Sequence, residues 1–301
     1  MSEKTAFPPM SPLADPVVGA IFTGVEDAGL AAESFVRSII DHGSFGTITA
    51  VTPQSYYKQP NQRGCRVDIE IETDDRHHII VEVQLYTDKA IMQRNMFAMA
   101  RIISAHSVEG MDPDEMSETM PKIIAINLLN YNCREDNTEF LQPAKILYTK
   151  PPHSVAAEQF EIYNVQLKRF AETEVDFTDP LSCWIYAMYK AHNEKLSVGE
   201  VLDMTPKLRD FAAKDAGFMQ YCKQYKRVSA EPSVREEYMR WIDESMRQAG
   251  MVQSARQEGA EEHAILTAIK MLKRNKPIDE IVEFSDLTFE EVEKLKKNHN
   301  L

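Results

Sequence analysis

The spacing of hydrophobic positions changes character near residue 179. Before it, helical and alternating stretches succeed one another; after it, only helical spacing persists. Val17, Val18, Ile21 and Phe22, then Leu30, Phe35, Val36, Ile39 and Ile40, recur every three or four residues and predict a helical stretch ended by Gly43 and Gly46. A short strand is expected over 47–51, followed by a polar loop over 52–64. Apolar and polar residues alternate strictly from Cys65 to Glu72, and again from Val81 to Tyr86. This predicts strands over 65–72 and 79–86, joined by the turn residues Thr73-Asp-Asp-Arg76. Residues 88–106 read as a helix with Ile91, Met92, Met96, Met99, Ile102 and Ile103 on a core stripe. An acidic loop is expected over 109–118. The unbroken apolar run 122–129 reads as a strand covered on both faces, and 144–148 and 159–167 as two further strands.

Beyond 179 the pattern predicts helices over 180–193, 197–203, 206–222, 233–258, 260–275, 278–284 and 288–297. Pro206 suits a first helical position with Thr205 as its cap, and Thr288 with Glu291 reads as a capping box. The expected organisation is a flexible N-terminus over 1–10, an α/β domain over 11–179 and an all-helical C-terminal region over 180–301.

Composition narrows the function classes. The chain has 301 residues, is 43% hydrophobic and carries a net charge of −13. That excludes a wholly disordered chain and argues against a broad electrostatic grip on nucleic acid or anionic lipid. No apolar run reaches the length of a membrane span, and the first dozen residues lack the apolar core of a signal peptide, so a cytoplasmic protein without membrane contact is expected. Cys65, Cys133, Cys183 and Cys222 are too dispersed for a disulfide framework or a zinc site. There is no GxSxG elbow, P-loop or GxGxxG.

The two alternating strands carry the chemistry. With the turn centred near Asp75, residues whose numbers sum to 150 face each other: Asp68 opposite Glu82, and Arg66 opposite Gln84. All four then project from one face, with opposed Cβ atoms ~4.5–5.5 Å apart. Two carboxylates at that spacing repel unless a cation lies between them, and magnesium, with its preference for carboxylate, water and phosphate oxygens, is the natural one. Gln84 would orient a water or contact a phosphate. The wet face of an ordinary amphipathic hairpin accounts for the same residues. His77 and His78 point to opposite faces and read as exposed turn residues. Arg94 and Arg101, seven apart, share one helix face, either solvated or in contact with phosphate. The acidic helices at the end of the chain have a helix-turn-helix look, with packing or oligomerisation favoured over DNA reading.

The order of these elements, with Arg66-Val-Asp68 on one strand, Glu82-Val-Gln84 on the next and a long helix carrying Arg94, resembles the PD-(D/E)XK nuclease superfamily. It is most similar to the transposase-like branch of recombination-promoting nucleases. Ser11-Pro-Leu-Ala-Asp15 with Ile21-Phe22, Ile126-Asn-Leu-Leu-Asn130, and the tail from Met271 through Ile278-Asp-Glu-Ile281 to Leu287–Val292 also resemble that family. The resemblance implies a restriction-endonuclease-like core, a mixed central sheet flanked by helices. It further implies metal-dependent hydrolysis of DNA phosphodiesters, with DNA as partner. Asp68 and Glu82 would hold Mg2+ or another divalent cation, Gln84 would take the place of the superfamily lysine, and Asp15 would help to hold the metal or a water. Arg66 and Arg94 would contact substrate phosphate, and the C-terminal helices are a homo-oligomerisation candidate. Val17-Val18-Gly19 stands where the family usually has a Phe-Lys pair. A catalytically inactive relative acting through protein contacts of its helical half is the competing reading.

Overall fold

The computed structural model describes residues 8–23, 28–40, 45–57, 65–106, 110–133 and 138–299. Gly43, expected to help end the first helical stretch, lies outside them.

Among the described residues eight strands form: β1 (Ile48–Pro53), β2 (Tyr56–Tyr57), β3 (Cys65–Arg66), β4 (Ile69–Thr73), β5 (His77–Gln84), β6 (Lys122–Leu129), β7 (Leu141–Leu147) and β8 (Val155–Gln166). Six of them build a sheet in the order β1-β4-β5-β6-β8-β7, and β2 and β3 make a separate ribbon. The pairs β5–β6 and β6–β8 are parallel and the outer pairs antiparallel. The sheet is therefore mixed, and helices flank it, as the resemblance implies. Ile79, Ile80 and Val81, like Ile124, Ala125 and Ile126, are buried at every position. Both faces of the two central strands are thus covered, which the apolar run of β6 anticipates.

Helices α1 (Asp15–Phe22) and α2 (Ala28–Ile39) replace the single helical stretch expected from periodicity. Next come α3 (Ile91–His106) and α4 (Pro113–Thr119). The latter forms where an acidic loop is expected, because the Asp112 side chain accepts from the Asp114 and Glu115 N–H groups and caps the helix. Helix α3 lays Ala98, Met99 and Ile102 on Val67, Ile80, Ile123, Ala125 and Ile162. Its buried stripe holds Ile91, Asn95, Ala98, Met99 and Ile102, while Met92 and Met96 are exposed, so the core stripe differs from the expected one.

The remaining helices are α5 (Leu167–Phe170), α6 (Pro180–Glu194), α7 (Val198–Met204), α8 (Pro206–Ala212), α9 (Ala216–Ala230), α10 (Pro232–Leu272), α11 (Ile278–Ser285) and α12 (Phe289–Asn298). The helix expected over 206–222 is split, because Asp215 accepts from the Phe218 N–H and starts α9 afresh. The two helices expected over 233–275 are one, and Gly259, where a Cβ would meet nothing within 4 Å, does not interrupt it. Thr205 makes no side-chain cap to α8; its hydroxyl meets that of Tyr186 at 3.4 Å instead. Thr288 and Glu291 do form a capping box on α12.

Residues Met1–Met239 form one compact unit and Arg240–Leu301 a second. In the first, α1, α2, α6 and α9 share an aromatic core of Phe22, Phe35, Trp184, Phe218 and Tyr221, with the Trp184 and Tyr221 ring centroids 4.8 Å apart. Helix α9 approaches α2 so closely that a Cβ on Gly217 would lie 2.5 Å from the Leu30 carbonyl oxygen. The second unit has its own small core of Ala268, Leu272, Ile281 and Val292. Among the described residues Cys133, Cys183 and Cys222 are free thiols, and no helix is long and apolar enough to cross a membrane.

Candidate active site

Strands β4 and β5 pair as Ile69↔Val81, Glu70↔Ile80, Ile71↔Ile79 and Glu72↔His78, so partner numbers sum to 150. The ladder stops before Asp68. There the chain bends: the Val67 N–H donates to the Ser55 carbonyl at 3.1 Å, and the Asp68 carbonyl accepts from the Gln54 N–H at 2.8 Å. The Asp68 side chain then does what a ladder carbonyl would have done. Its Oδ2 accepts from the Val83 backbone N–H at 2.9 Å, which sutures the carboxylate to the strand one residue from Glu82. The same bend corrects the placement of Arg66. It lies in β3 opposite Tyr56, not opposite Gln84, and its guanidinium sits 5.9 Å from the Tyr56 ring centroid.

Asp68 and Glu82 are electrostatically strained. Burial pushes both carboxyls well above the ordinary carboxylate range; the Asp15 charge adds to this at Asp68, and the Asp68 charge and then Asp15 add to it at Glu82. Asp15, the first residue of α1, is thus brought to the same cluster by the turn that opens the fold. Against these three carboxyls stands Arg94 on the first turn of α3. Its guanidinium lies 3.9 Å from Glu82 and 3.0 Å from Asp88, and is half exposed. Gln84 hydrogen-bonds the Glu82 carboxylate through its side chain.

The row continues across the sheet. Glu82 is in register with Asn127 on β6, and Asn127 with Asn164 on β8, so three polar side chains share one face. The Asn127 Nδ2 donates to Asn164 Oδ1 at 2.8 Å, while the fully buried Asn127 Oδ1 has no partner. The Asn95 Nδ2, buried on α3, has none either. Sequence reasoning did not single out these amides for a role; the signal was a lone Asn inside the apolar run of β6.

A second polar cluster lies two residues along on the same face. Glu70, Glu72 and His78 place one ligand atom each within 4.8 Å of one another. Here the electrostatics run the other way. Although burial works against it, hydrogen bonds from His78 (2.9 Å), Tyr57 and Ser55 hold the Glu70 carboxyl below its usual value. Glu70 is therefore held as a carboxylate, whereas Asp68 and Glu82 are pushed toward their protonated forms. The two histidines are not exposed: His78 is buried with its ring 4.6 Å from that of His106, and the His77 Nδ1 lies 2.9 Å from Asp75.

The segment leading into Asp15 is clamped by the helical layer. Tyr225 donates to the Met10 carbonyl at 2.6 Å, and the Ser11 N–H donates to the Tyr238 hydroxyl at 3.0 Å. Ser11 Oγ lies 2.7 Å from His192 Nδ1 and accepts from the Leu13 N–H at 3.1 Å. Desolvation lowers the His192 pKa and favours the neutral ring, which shares one hydrogen bond with the Ser11 hydroxyl. The positions just after Asp15 face inward: Val17, Val18 and Gly19 are buried in α1, so no exposed lysine could stand there.

No curated protein and no solved structure matches the chain. A family model described as "PD-(D/E)XK nuclease family transposase" matches residues 24–249. The matched segment contains Arg66, Asp68, Glu82, Gln84 and Arg94, together with the strands that present them, and leaves Asp15 outside. Since that segment is most of its length, the chain belongs to the PD-(D/E)XK nuclease family transposases.

Proposed function

We propose that this protein is a metal-dependent DNA endonuclease that hydrolyses phosphodiester bonds in recombination or transposition, working in the cytoplasm. The observation that carries the reading is that burial raises the Asp68 and Glu82 carboxyls, Glu82 feels the Asp68 charge and both feel the Asp15 charge, with the half-exposed Arg94 guanidinium 3.9 Å from Glu82 opposing them. Carboxyls pushed out of their ordinary range by burial and by each other are a donor set short of positive charge. A hard divalent cation such as Mg2+ fits it, because carboxylate oxygens are its preferred ligands. Asp68 and Glu82 would hold the cation, and Asp15 would hold it through a further oxygen or a water. Such an ion supplies charge stabilisation at a phosphoryl group and lowers the pKa of a water.

The chain's own residues do the rest. Asp68, fixed through Oδ2 by the Val83 amide, would offer its other oxygen to the cation. Gln84 orients the Glu82 carboxylate and offers its amide to a water or a phosphate oxygen. It cannot act as a cation, so neutralisation of the phosphate falls to Arg94, which Asp88 steadies. Arg66, held over Tyr56, contacts phosphate from the neighbouring ribbon.

The test is cleavage of plasmid DNA with and without Mg2+ or Mn2+, alongside Mn2+ titration by calorimetry. Asp68→Ala and Glu82→Ala should each abolish both cleavage and Mn2+ binding. An intact fold that neither binds Mn2+ nor cuts DNA would overturn the proposal in favour of an inactive relative acting through protein contacts.

A further inference from the structure

In a chain of net charge −13, the sixteen residues of α3 contain no Asp or Glu. The helix begins at the carboxylate cluster with Arg94. One turn on, along the same face, come Phe97 and then Arg101, at spacings of three and four residues. The Arg101 guanidinium lies 4.9 Å from the Phe97 ring centroid. Phe97 is 38% exposed and its neighbour Met96 64%. Helix α3 packs against the ribbon β2–β3, which presents a second pair of the same kind. Tyr56, 57% exposed, faces Arg66 across the ribbon. Two arginine–aromatic pairs and an exposed methionine thus lie beside the candidate site, on elements free of acidic residues.

Each half of that description excludes something. Arginines alone would suit any phosphate backbone, since they neutralise charge without regard to base pairing. Exposed Phe, Met and Tyr side chains have no use against the phosphates of a closed duplex. They are what unpaired bases require, because every base has an apolar face that stacks on an aromatic ring or an arginine plane. From Arg94 to Arg101 the helix rises about 10 Å, so the two guanidiniums can meet different phosphates of one strand. An exposed apolar patch of this kind on an otherwise charged surface marks a contact site.

We propose that α3 and the β2–β3 ribbon form a platform for a single strand of nucleic acid. Phe97, Met96 and Tyr56 stack unpaired bases, Arg66 and Arg101 hold the phosphates between them, and Arg94 receives the strand at the carboxylates. This deepens the nuclease reading and rests on it for the identity of the site: the scissile strand is unpaired where it enters.

Fluorescence anisotropy tests this with a labelled 20-nucleotide oligo-dT and a 20-base-pair duplex, both in EDTA so that metal-dependent cleavage is stopped. The wild type should bind the single strand more tightly. Phe97→Ala and Tyr56→Ala, at exposed positions, should each weaken that binding roughly tenfold while leaving the melting temperature and duplex binding unchanged. Arg101→Gln should weaken both and reduce the salt dependence by about one phosphate contact. Equal or tighter duplex binding, an unchanged single-strand affinity in both aromatic variants, or binding to phosphatidylserine vesicles in place of oligonucleotide would overturn the proposal. Mn2+ calorimetry separates its failure from that of the nuclease reading. Loss of Mn2+ binding with Phe97-dependent oligo-dT binding intact sinks only the nuclease, and Mn2+ binding with indifferent aromatic variants sinks only the platform.

Discussion

Asp68 Oδ2 accepts a hydrogen bond from the backbone amide of Val83 at 2.9 Å, so one carboxylate of the candidate site is tied to the strand that carries the other. The bond has two separable consequences, a structural one through the acceptor oxygen and an electrostatic one through the charge. Asp68→Asn keeps an acceptor for Val83 while removing the charge; Asp68→Ala removes both. The alanine variant should be the less stable by about 1–3 kcal/mol, the cost of leaving a buried amide unpaired, whereas the asparagine variant stays near wild type. Both should lose Mn2+ binding. Chemical denaturation alongside calorimetry checks the split.

The raised carboxyls predict a pH dependence of stability in the metal-free protein. Asp68 is pushed to about 7 and Glu82 to about 8, against ordinary values near 4. The folded state therefore binds protons more tightly than the unfolded chain. Stability from this pair is fully present below about pH 4 and is lost as pH rises through 7 to 8. The loss should be on the order of 2 kcal/mol, because the two groups share one interaction and Asp68 is partly solvated. Saturating Mn2+ should flatten the curve by favouring the ionised forms. Melting temperatures at pH 5, 6.5 and 8, with and without Mn2+, test this. A metal-free protein more stable at pH 8 than at pH 5 contradicts the sign.

The clamp on the first turn predicts that residues of the helical layer act on the carboxylate cluster at a distance. Tyr238→Phe removes one hydrogen bond from the segment Met10–Leu13, and Ser11→Ala removes two, to His192 and from the Leu13 N–H. Each should cost about 1 kcal/mol of stability and let α1 shift, with Mn2+ affinity falling by roughly tenfold as for an outer-shell partner. Asp15→Asn should reproduce the affinity loss without the stability loss. Unchanged Mn2+ affinity in Tyr238→Phe and Ser11→Ala would reduce the clamp to a structural strap.

The hairpin register from Ile69 to Glu72 was legible because strict alternation fixes which side chains share a face, and a turn at Thr73–Arg76 fixes which residues oppose. The bend at Asp68 was not legible. It depends on Gln54 and Ser55, residues in a stretch without periodicity, and it sends Arg66 to Tyr56. His78 read as exposed because its neighbours are turn residues, but α3 covers that face of β5. The stripe on α3 was misjudged for a related reason. Met and Phe score as core by hydropathy, and only the packing of Ala98 and Ile102 onto the sheet shows which side of the helix they occupy. Contacts such as Ser11 to His192, 181 residues apart, leave no local pattern to read.

The amides of Asn127 and Asn164 offer the sharpest separation of stability from function. Asn127 is fully buried, bonds only to Asn164 by its Nδ2, and leaves its Oδ1 unpaired beside Glu82. A buried amide pair that is half satisfied costs the fold more than apolar residues of similar size would. Replacing only Asn164 by Leu leaves Asn127 with nothing to donate to and should destabilise by about 1–3 kcal/mol. Replacing both Asn127 and Asn164 by Leu removes the unpaired groups together and should leave stability at or above that of the wild type. If the amides serve the carboxylates, by holding a water against Glu82, the more stable double variant will bind Mn2+ more weakly, and the two measurements will move in opposite directions. A double variant that is less stable than Asn164→Leu alone would show that the pair is a structural bond and nothing more.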